Sequence, residues 1–66
     1  MHADALQYLG IAKMQSGRGE EAIGLLQQSV AVHSRNSQAH YNLGLALHSQ
    51  AKEQKALAAF RRAIAV

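Results

Sequence analysis

The sequence predicts an all-α chain of four helices that form two hairpins, and three observations support this fold class. First, the residue pattern of the segment QYLGIAK at residues 7–13 recurs 34 positions later in the segment YNLGLAL at residues 41–47. Second, apolar residues recur at spacings near 3.6, the period of an α-helix. Third, the chain contains no proline, so no residue forbids a helix inside these segments. We therefore expect helices over residues 4–16, 19–32, 37–50 and 53–65.

The first hairpin is delimited by a glycine-containing turn. Leu6, Leu9 and Met14 supply the apolar spacing of the first helix, and the stretch SGRG at residues 16–19 then interrupts it. Glu20 and Glu21 follow, and acidic residues favour the N-terminus of a helix because they interact with its dipole. The sequence therefore predicts that the second helix begins at about residue 19.

The second hairpin begins after a polar break at residues 33–36, where Ser37 is the expected capping residue of the third helix. Leu43 and Leu47 continue the helical spacing. The stretch SQAKE at residues 49–53 occupies the place of the first turn, but Ala51 stands where the first repeat has Gly17. Because strong helix formers dominate this region, the turn competes with one uninterrupted helix.

Two glycines in helix interiors predict close helix packing. Gly10 and Gly44 are 34 positions apart, and each costs roughly 1 kcal/mol relative to alanine. We expect Ala22 and Ala56 to fill the contact opposite these glycines. A single hairpin cannot bury its own apolar face, so the hairpins are expected to stack.

Length and composition limit the possible classes of protein. A chain of 66 residues forms at most one small domain, and it has no cysteine for a disulfide or thiolate site. No apolar run approaches the roughly 18 residues of a membrane span. The N-terminal residues lack the basic and apolar regions of a signal peptide. We therefore expect a cytoplasmic protein without a membrane partner.

The charge and the polar residues indicate no particular chemistry. The net charge is +3 and the isoelectric point is near 9.8. A basic cluster could bind nucleic acid, but no aromatic residue alternates with it, so no nucleic-acid partner is expected. His40 and His48 lack the further ligands of a helical metal site. No catalytic motif is present, so neither an enzyme nor a cofactor is expected. The basic cluster consists of Lys52, Lys55, Arg61 and Arg62.

The repeated positions resemble the tetratricopeptide repeat (TPR) family, whose unit is a 34-residue helix–turn–helix. The resemblance implies an α-solenoid fragment with one repeat at residues 3–36 and a second at 37–66, truncated at the end of its second helix. The family's usual aromatics are replaced at Leu6, His40, Lys13 and Leu47, and its junction proline is replaced by Ser34. The matching residues are Leu9, Gly10, Gly17, Ala22, Leu26 and Ser29 in the first repeat, and Leu43, Gly44, Ala56, Phe60 and Ala63 in the second.

The resemblance also implies a function. In this family the first helix of each hairpin lines a concave surface, so the chain is expected to be a non-catalytic protein–protein interaction scaffold. Ile11 and Leu45 would favour a peptide with apolar side chains, and Gln7 and Asn42 would be available to its backbone. For Met14, completion of the core is an equal alternative. The expected peptide-binding residues are Gln7, Ile11, Met14, Gln38, Tyr41, Asn42, Leu45 and His48, with Asp4, Gln15 and Ser49 on the same surface.

Within the family, the second repeat looks most like repeats of bacterial proteins similar to O-linked N-acetylglucosamine transferases. In those proteins an asparagine two residues before the glycine holds peptide backbone. Asn42 matches this asparagine, whereas Tyr8 replaces it in the first repeat. The alternative function is therefore a substrate-presenting or regulatory segment of a larger glycosyltransferase.

The sequence also predicts self-association. Apolar faces at both ends of a two-repeat stack would favour a homo-oligomer, most simply a dimer. Because the turn near Ala51 lacks glycine, a domain-swapped dimer is an alternative, although closed hairpins are the expected geometry.

Overall fold

The structure is a computed structural model that describes residues 2–65. Over this range the chain forms four helices, as the sequence predicts, and the observed bounds differ from the expected ones by one residue at most. The helices are α1 Ala3–Gln15, α2 Gly19–Val32, α3 Ser37–Ser49 and α4 Glu53–Ala65.

The four helices form two closed hairpins that stack side by side. The helix α1 packs along α2, α3 packs along α4, and the two hairpins meet mainly through α2 and α3, with a minor contact between α1 and α3. The resulting slab measures 28 × 28 × 13 Å. This arrangement leaves α1 at one end of the stack and α4 at the other.

The core lies where α2, α3 and α4 meet. Leu26 is its largest fully buried apolar residue, and Met14, Val30 and Phe60 pack at its edge. Ser29 is also fully buried, and its hydroxyl donates to the carbonyl oxygen of Ala3 at 2.9 Å. This hydrogen bond satisfies a buried polar group and joins α1 to α2. The buried apolar cluster consists of Ala22, Ile23, Leu26, Leu43, Ala46, Leu47, Ala56 and Ala59.

The two interior glycines allow close helix packing, but their contacts differ from the expected ones. A Cβ atom on Gly10 would lie 2.8 Å from Cγ of Leu26, and one on Gly44 would lie 2.5 Å from Cε1 of Phe60. The expected contact with an alanine is found in part at Gly10, where the backbone oxygen of Ala22 lies 3.5 Å from the Cβ position, whereas the nearest atoms at Gly44 all belong to Phe60. Ala22 and Ala56 are buried nearby, but the side chain one turn further along each partner helix covers the glycine.

The two hairpin turns have the same backbone form. The amide of Arg18 donates to the carbonyl of Lys13 at 2.8 Å, and the amide of Lys52 donates to that of Leu47 at 2.9 Å. The residue before each of these amides has a positive φ, 82° at Gly17 and 61° at Ala51. Such turns normally place glycine at this position, because a Cβ atom is unfavourable there. The second hairpin thus closes in the same form as the first despite its alanine.

Asn36 holds the junction between the hairpins, whereas the sequence had suggested Ser37 as the capping residue. Asn36 is the N-cap of α3, and its Oδ1 accepts from the amide of Ala39 at 3.1 Å. Its Nδ2 donates to Oε1 of Gln7 in α1 at 3.0 Å. One side chain therefore caps α3 and connects it to the first repeat. Asparagine and serine are both good caps, so the type of residue alone did not exclude Ser37.

Candidate interaction surfaces

The predicted peptide-binding residues lie along α1 and α3, and we call these eight residues the first-helix surface. They differ in exposure. Gln38, Tyr41 and His48 are exposed. Ile11, Met14 and Leu45 are half-buried, whereas Gln7 and Asn42 are buried.

Tyr41 is the most prominent aromatic group of the first-helix surface. It is 50% exposed, and its ring lies 5.7 Å from that of Phe60 at an interplanar angle of 47°. Such a tilted aromatic pair is favourable, and it holds the half-exposed tyrosine ring in place. Leu45 lies one helical turn further along α3, where it is half-buried. These two side chains can offer apolar contact to a ligand.

The two buried polar residues differ in their hydrogen bonding. Gln7 is only 5% exposed, and its Oε1 accepts from Asn36, so its carbonyl group is already engaged within the protein. Asn42 is 8% exposed, and its Nδ2 is buried without a hydrogen-bond partner. An unpaired buried amide costs about 1–3 kcal/mol, so Asn42 is an unfavourable feature of the folded chain.

The histidines have separate structural roles. His40 is buried, and its Nε2 lies 2.7 Å from the carbonyl oxygen of Ser34. Its backbone position is the one at which the family usually has an aromatic side chain. His48 is exposed, and its Nδ1 lies 2.9 Å from Oε1 of Glu53 across the second turn. Within residues 2–65 no three side chains are grouped to bind a metal ion.

Two apolar side chains of α4 are more exposed than the side chains at the equivalent positions of α2. Ile64 is 85% exposed and corresponds to Val30, and Leu57 is 50% exposed while the corresponding Ile23 is 6% exposed. Phe60 lies between Leu57 and Ile64 on α4, so we call Leu57, Phe60 and Ile64 the α4 face.

A second apolar area lies at the opposite end of the stack, on α1. Leu9 is 38% exposed, whereas the corresponding Leu43 is 8% exposed. Ala5 and Ala12 are exposed, although the alanines that correspond to them in α3 are fully buried. We call Ala5, Leu9 and Ala12 the α1 face. Apolar ends were expected from the sequence, but these particular residues become apparent only when matched positions are compared for exposure.

The charged residues form few contacts between the repeats. Nζ of Lys52 lies 3.9 Å from Oε2 of Glu20, which joins the second turn to the start of α2. Both side chains are substantially exposed, so this ion pair contributes at most about 1 kcal/mol. An open cleft of about 380 Å³ lies between α2, α3 and α4. Its lining includes Gln27, Val30, His40, Leu43, Lys55 and Arg62.

Comparison with known proteins identifies the family but no individual relative. The family model described as tetratricopeptide repeat matches residues 2–65. No curated protein and no solved structure gives a significant match to the chain. In residues 2–65, none of the helices has the length and apolarity needed to cross a membrane. Repeats of the matched family generally mediate protein–protein interaction and are typically non-catalytic. Because the match spans almost the whole sequence, the chain belongs to the tetratricopeptide repeat family.

Proposed function

We propose that this chain is a non-catalytic interaction scaffold that binds a peptide segment on the first-helix surface. The observation that carries this proposal is the position of Tyr41, an exposed aromatic ring fixed against Phe60 and adjacent to the half-buried Leu45. Exposed, conformationally restricted aromatic groups supply much of the binding energy of protein interfaces. The expected ligand is therefore a segment with at least one apolar side chain.

The buried amide of Asn42 supports the same proposal. Its Nδ2 has no acceptor within the described protein, so a ligand carbonyl would relieve an existing cost. Because this atom is buried, the side chain must turn outward before it can donate to a ligand. Gln7, by contrast, is engaged by Asn36, so we assign it a positioning role for α3 and not a ligand contact.

The proposal is tested by selecting binders from a displayed library of random peptides. Binding of a selected peptide to the chain and to its variants is then measured by fluorescence anisotropy at low micromolar protein. Leu45→Asp and Tyr41→Ala are expected to weaken binding at least about tenfold, since each removes apolar contact at the centre of the surface. Arg61→Ala on α4 is the control that should leave binding unchanged. An equal loss in all three variants would place the binding surface elsewhere.

A second proposed activity is self-association, and the exposed apolar residues of α4 favour it. Leu57 and Ile64 expose more apolar surface than their counterparts in α2, and contiguous exposed apolar area favours association. The expected product at low concentration is a dimer of closed hairpins. A domain-swapped dimer remains an alternative, because Ala51 holds a left-handed backbone conformation that opening of the turn would relieve.

The remaining expectations stay predictions. The role as a segment of a larger glycosyltransferase, and with it a bacterial origin, depends on the resemblance of the second repeat, Asn42 included, to repeats of those bacterial proteins. Cytoplasmic location, and the absence of nucleic-acid and membrane partners, depend on composition and sequence pattern. Nucleic-acid binding through Lys52, Lys55, Arg61 and Arg62 is a weaker alternative function, and binding to nucleic acid that decreases steeply with salt would be required to support it.

A further inference from the structure

The α4 face and the α1 face correspond to the two halves of a contact that already exists inside the chain. In the stacked hairpins α2 packs on α3, and their apolar residues share one buried cluster. The residues of the α4 face lie 34 positions after apolar residues of α2. The residues of the α1 face lie 34 positions before buried residues of α3. The correspondence is Ile23 to Leu57, Leu26 to Phe60 and Val30 to Ile64, and, with identical residues, Ala39 to Ala5, Leu43 to Leu9 and Ala46 to Ala12.

We propose that copies of this chain bind head to tail, with the α1 face of one copy seated on the α4 face of another as α3 is seated on α2. This inference rests on the self-association proposed above and assigns its two surfaces. The occupant of each face is a second copy because the α1 face repeats, residue for residue, the surface that α2 buries. The contact would therefore continue the existing stacking interface beyond one molecule.

Side-chain sizes are compatible with this docking at the turn. Within the chain, the buried Gly19 lies against Gln50, and no side chain larger than glycine fits there without displacing the glutamine. At the contact between copies, Glu53 takes the place of Gly19 and Ser16 of the second copy takes the place of Gln50. The contact within the chain pairs a small residue, Gly19, with a large one, Gln50. The contact between copies pairs a large one, Glu53, with a small one, Ser16. The space available at this point is thus preserved.

One pair of residues becomes complementary in charge across the same docking. Gln27 and Lys55 both line the cleft between α2, α3 and α4. In the equivalent cleft between copies, Arg61 takes the place of Gln27, and Glu21 of the second copy takes the place of Lys55. A cation thus faces a carboxylate where the internal contact has an amide and a cation. Opposite charges of this kind favour correct docking and suppress other orientations.

The geometry determines the kind of assembly. The two faces are different surfaces, so the contact is heterologous, and a copy that has bound one neighbour still presents a free face. Heterologous contacts produce open series or rings, whereas a two-fold dimer uses the same surface on both copies and closes. We therefore expect the mean assembly size to grow beyond a dimer as concentration rises.

The test uses two variants that each lose one face. Ala12→Glu places a charge on the α1 face, and Leu57→Glu places one on the α4 face. Each is expected to weaken self-association about tenfold or more. A tenfold change in affinity corresponds to about 1.4 kcal/mol, and burying an unpaired charge costs more than that. Sedimentation velocity should find each variant monomeric where the unmodified chain assembles. A mixture of the two should form a one-to-one dimer that does not grow, because each variant retains the face that the other has lost.

Three results would overturn the head-to-tail contact. A single variant that still dimerises like the unmodified chain would indicate a two-fold or swapped dimer, with self-association intact. A mixture that remains monomeric would mean that the two faces do not bind each other. An unmodified chain that is monomeric at every concentration would reject self-association as well, while leaving peptide binding unaffected.

Matched variants control for effects on folding and for the peptide surface. Gln15→Glu adds the same charge on α1 at a position that is exposed in both repeats, and it should not alter assembly. Ala5→Glu and Ile64→Glu address the same two faces through different residues, so a folding defect in one variant leaves the test intact. Circular dichroism of every variant verifies helicity. Leu45→Asp should abolish peptide binding without preventing assembly, which separates the two proposals.

Discussion

Replacing Gly10 with alanine should destabilise the chain, whereas the same replacement at Gly24 should stabilise it. Both glycines lie inside helices, so both variants gain the higher helix propensity of alanine, roughly 1 kcal/mol. Only Gly10 faces a neighbour, since its Cβ atom would lie 2.8 Å from Cγ and 3.1 Å from Cδ2 of Leu26. Around Gly24 nothing lies within 4 Å of the added atom, and Ala58 already occupies the matching position in the second repeat.

The magnitude follows from the contact. Leu26 is fully buried and Cγ is the branch point of its side chain, so it cannot move away without disturbing α2 and α3. Overpacking of this kind costs about 1–3 kcal/mol. Because the propensity gain is common to both variants, the difference between them isolates the overpacking cost. Gly24→Ala should gain roughly 0.5–1 kcal/mol, and Gly10→Ala should lie about 1–3 kcal/mol below it.

The assay is thermal and urea unfolding followed by circular dichroism. For a domain of this size each kcal/mol shifts the melting temperature by roughly 4–8 °C, so the two variants should be clearly separated. Measurement at two low protein concentrations keeps self-association from contributing. If Gly10→Ala were as stabilising as Gly24→Ala, the glycine would not be at a close contact, and the account of helix packing given above would be refuted.

Three further predictions concern the second glycine, the turns and the junction. Gly44→Leu should separate α3 from α4 and unfold the second hairpin, and unchanged helicity and melting would place that glycine outside the helix contact. Ala51→Gly should raise stability by about 0.5–1 kcal/mol and reduce any swapped population, because it removes a Cβ atom at positive φ, and Gly17→Ala should have the opposite effect. Asn36→Ala should cost about 1 kcal/mol for the cap and more for the unpaired Gln7, while Asn36→Asp should retain only the cap. Urea unfolding measures the last two effects, and an Asn36→Asp variant as stable as the unmodified chain would contradict the role assigned to Nδ2.

The fold was predictable because it depends on features that are local or repeated along the chain. Helical spacing, the two polar breaks and the recurrence of Leu9 and Gly10 at Leu43 and Gly44 are all visible in one dimension. The α4 and α1 faces were accessible only in part. Each apolar residue of α4 has a counterpart in α2, and only the packed structure reveals which member of each pair is covered.

The candidate surface was less predictable, because polar side chains can bond within the protein or with a ligand. Gln7 was expected to serve a peptide, yet it accepts from Asn36, which lies 29 residues away. From the sequence, His48 was considered only as a metal ligand together with residues within one helical turn. Its hydrogen-bond partner in the structure, Glu53, lies five positions later, across the hairpin turn. Pairings of this kind depend on how the helices dock, and spacing along the chain does not specify them.

By itself, the sequence determined the number of helices, their limits to within a residue and the hairpin arrangement, because helix period and turn chemistry act between near neighbours. It also aligned Ala51 with Gly17, and both residues have a left-handed backbone in the structure. Only the tertiary structure decided which side chain covers each glycine, which of two adjacent residues caps α3 and which apolar residues remain exposed at the two ends. Those outcomes depend on the distance and rotation between helices, and packing of the whole set of side chains fixes both.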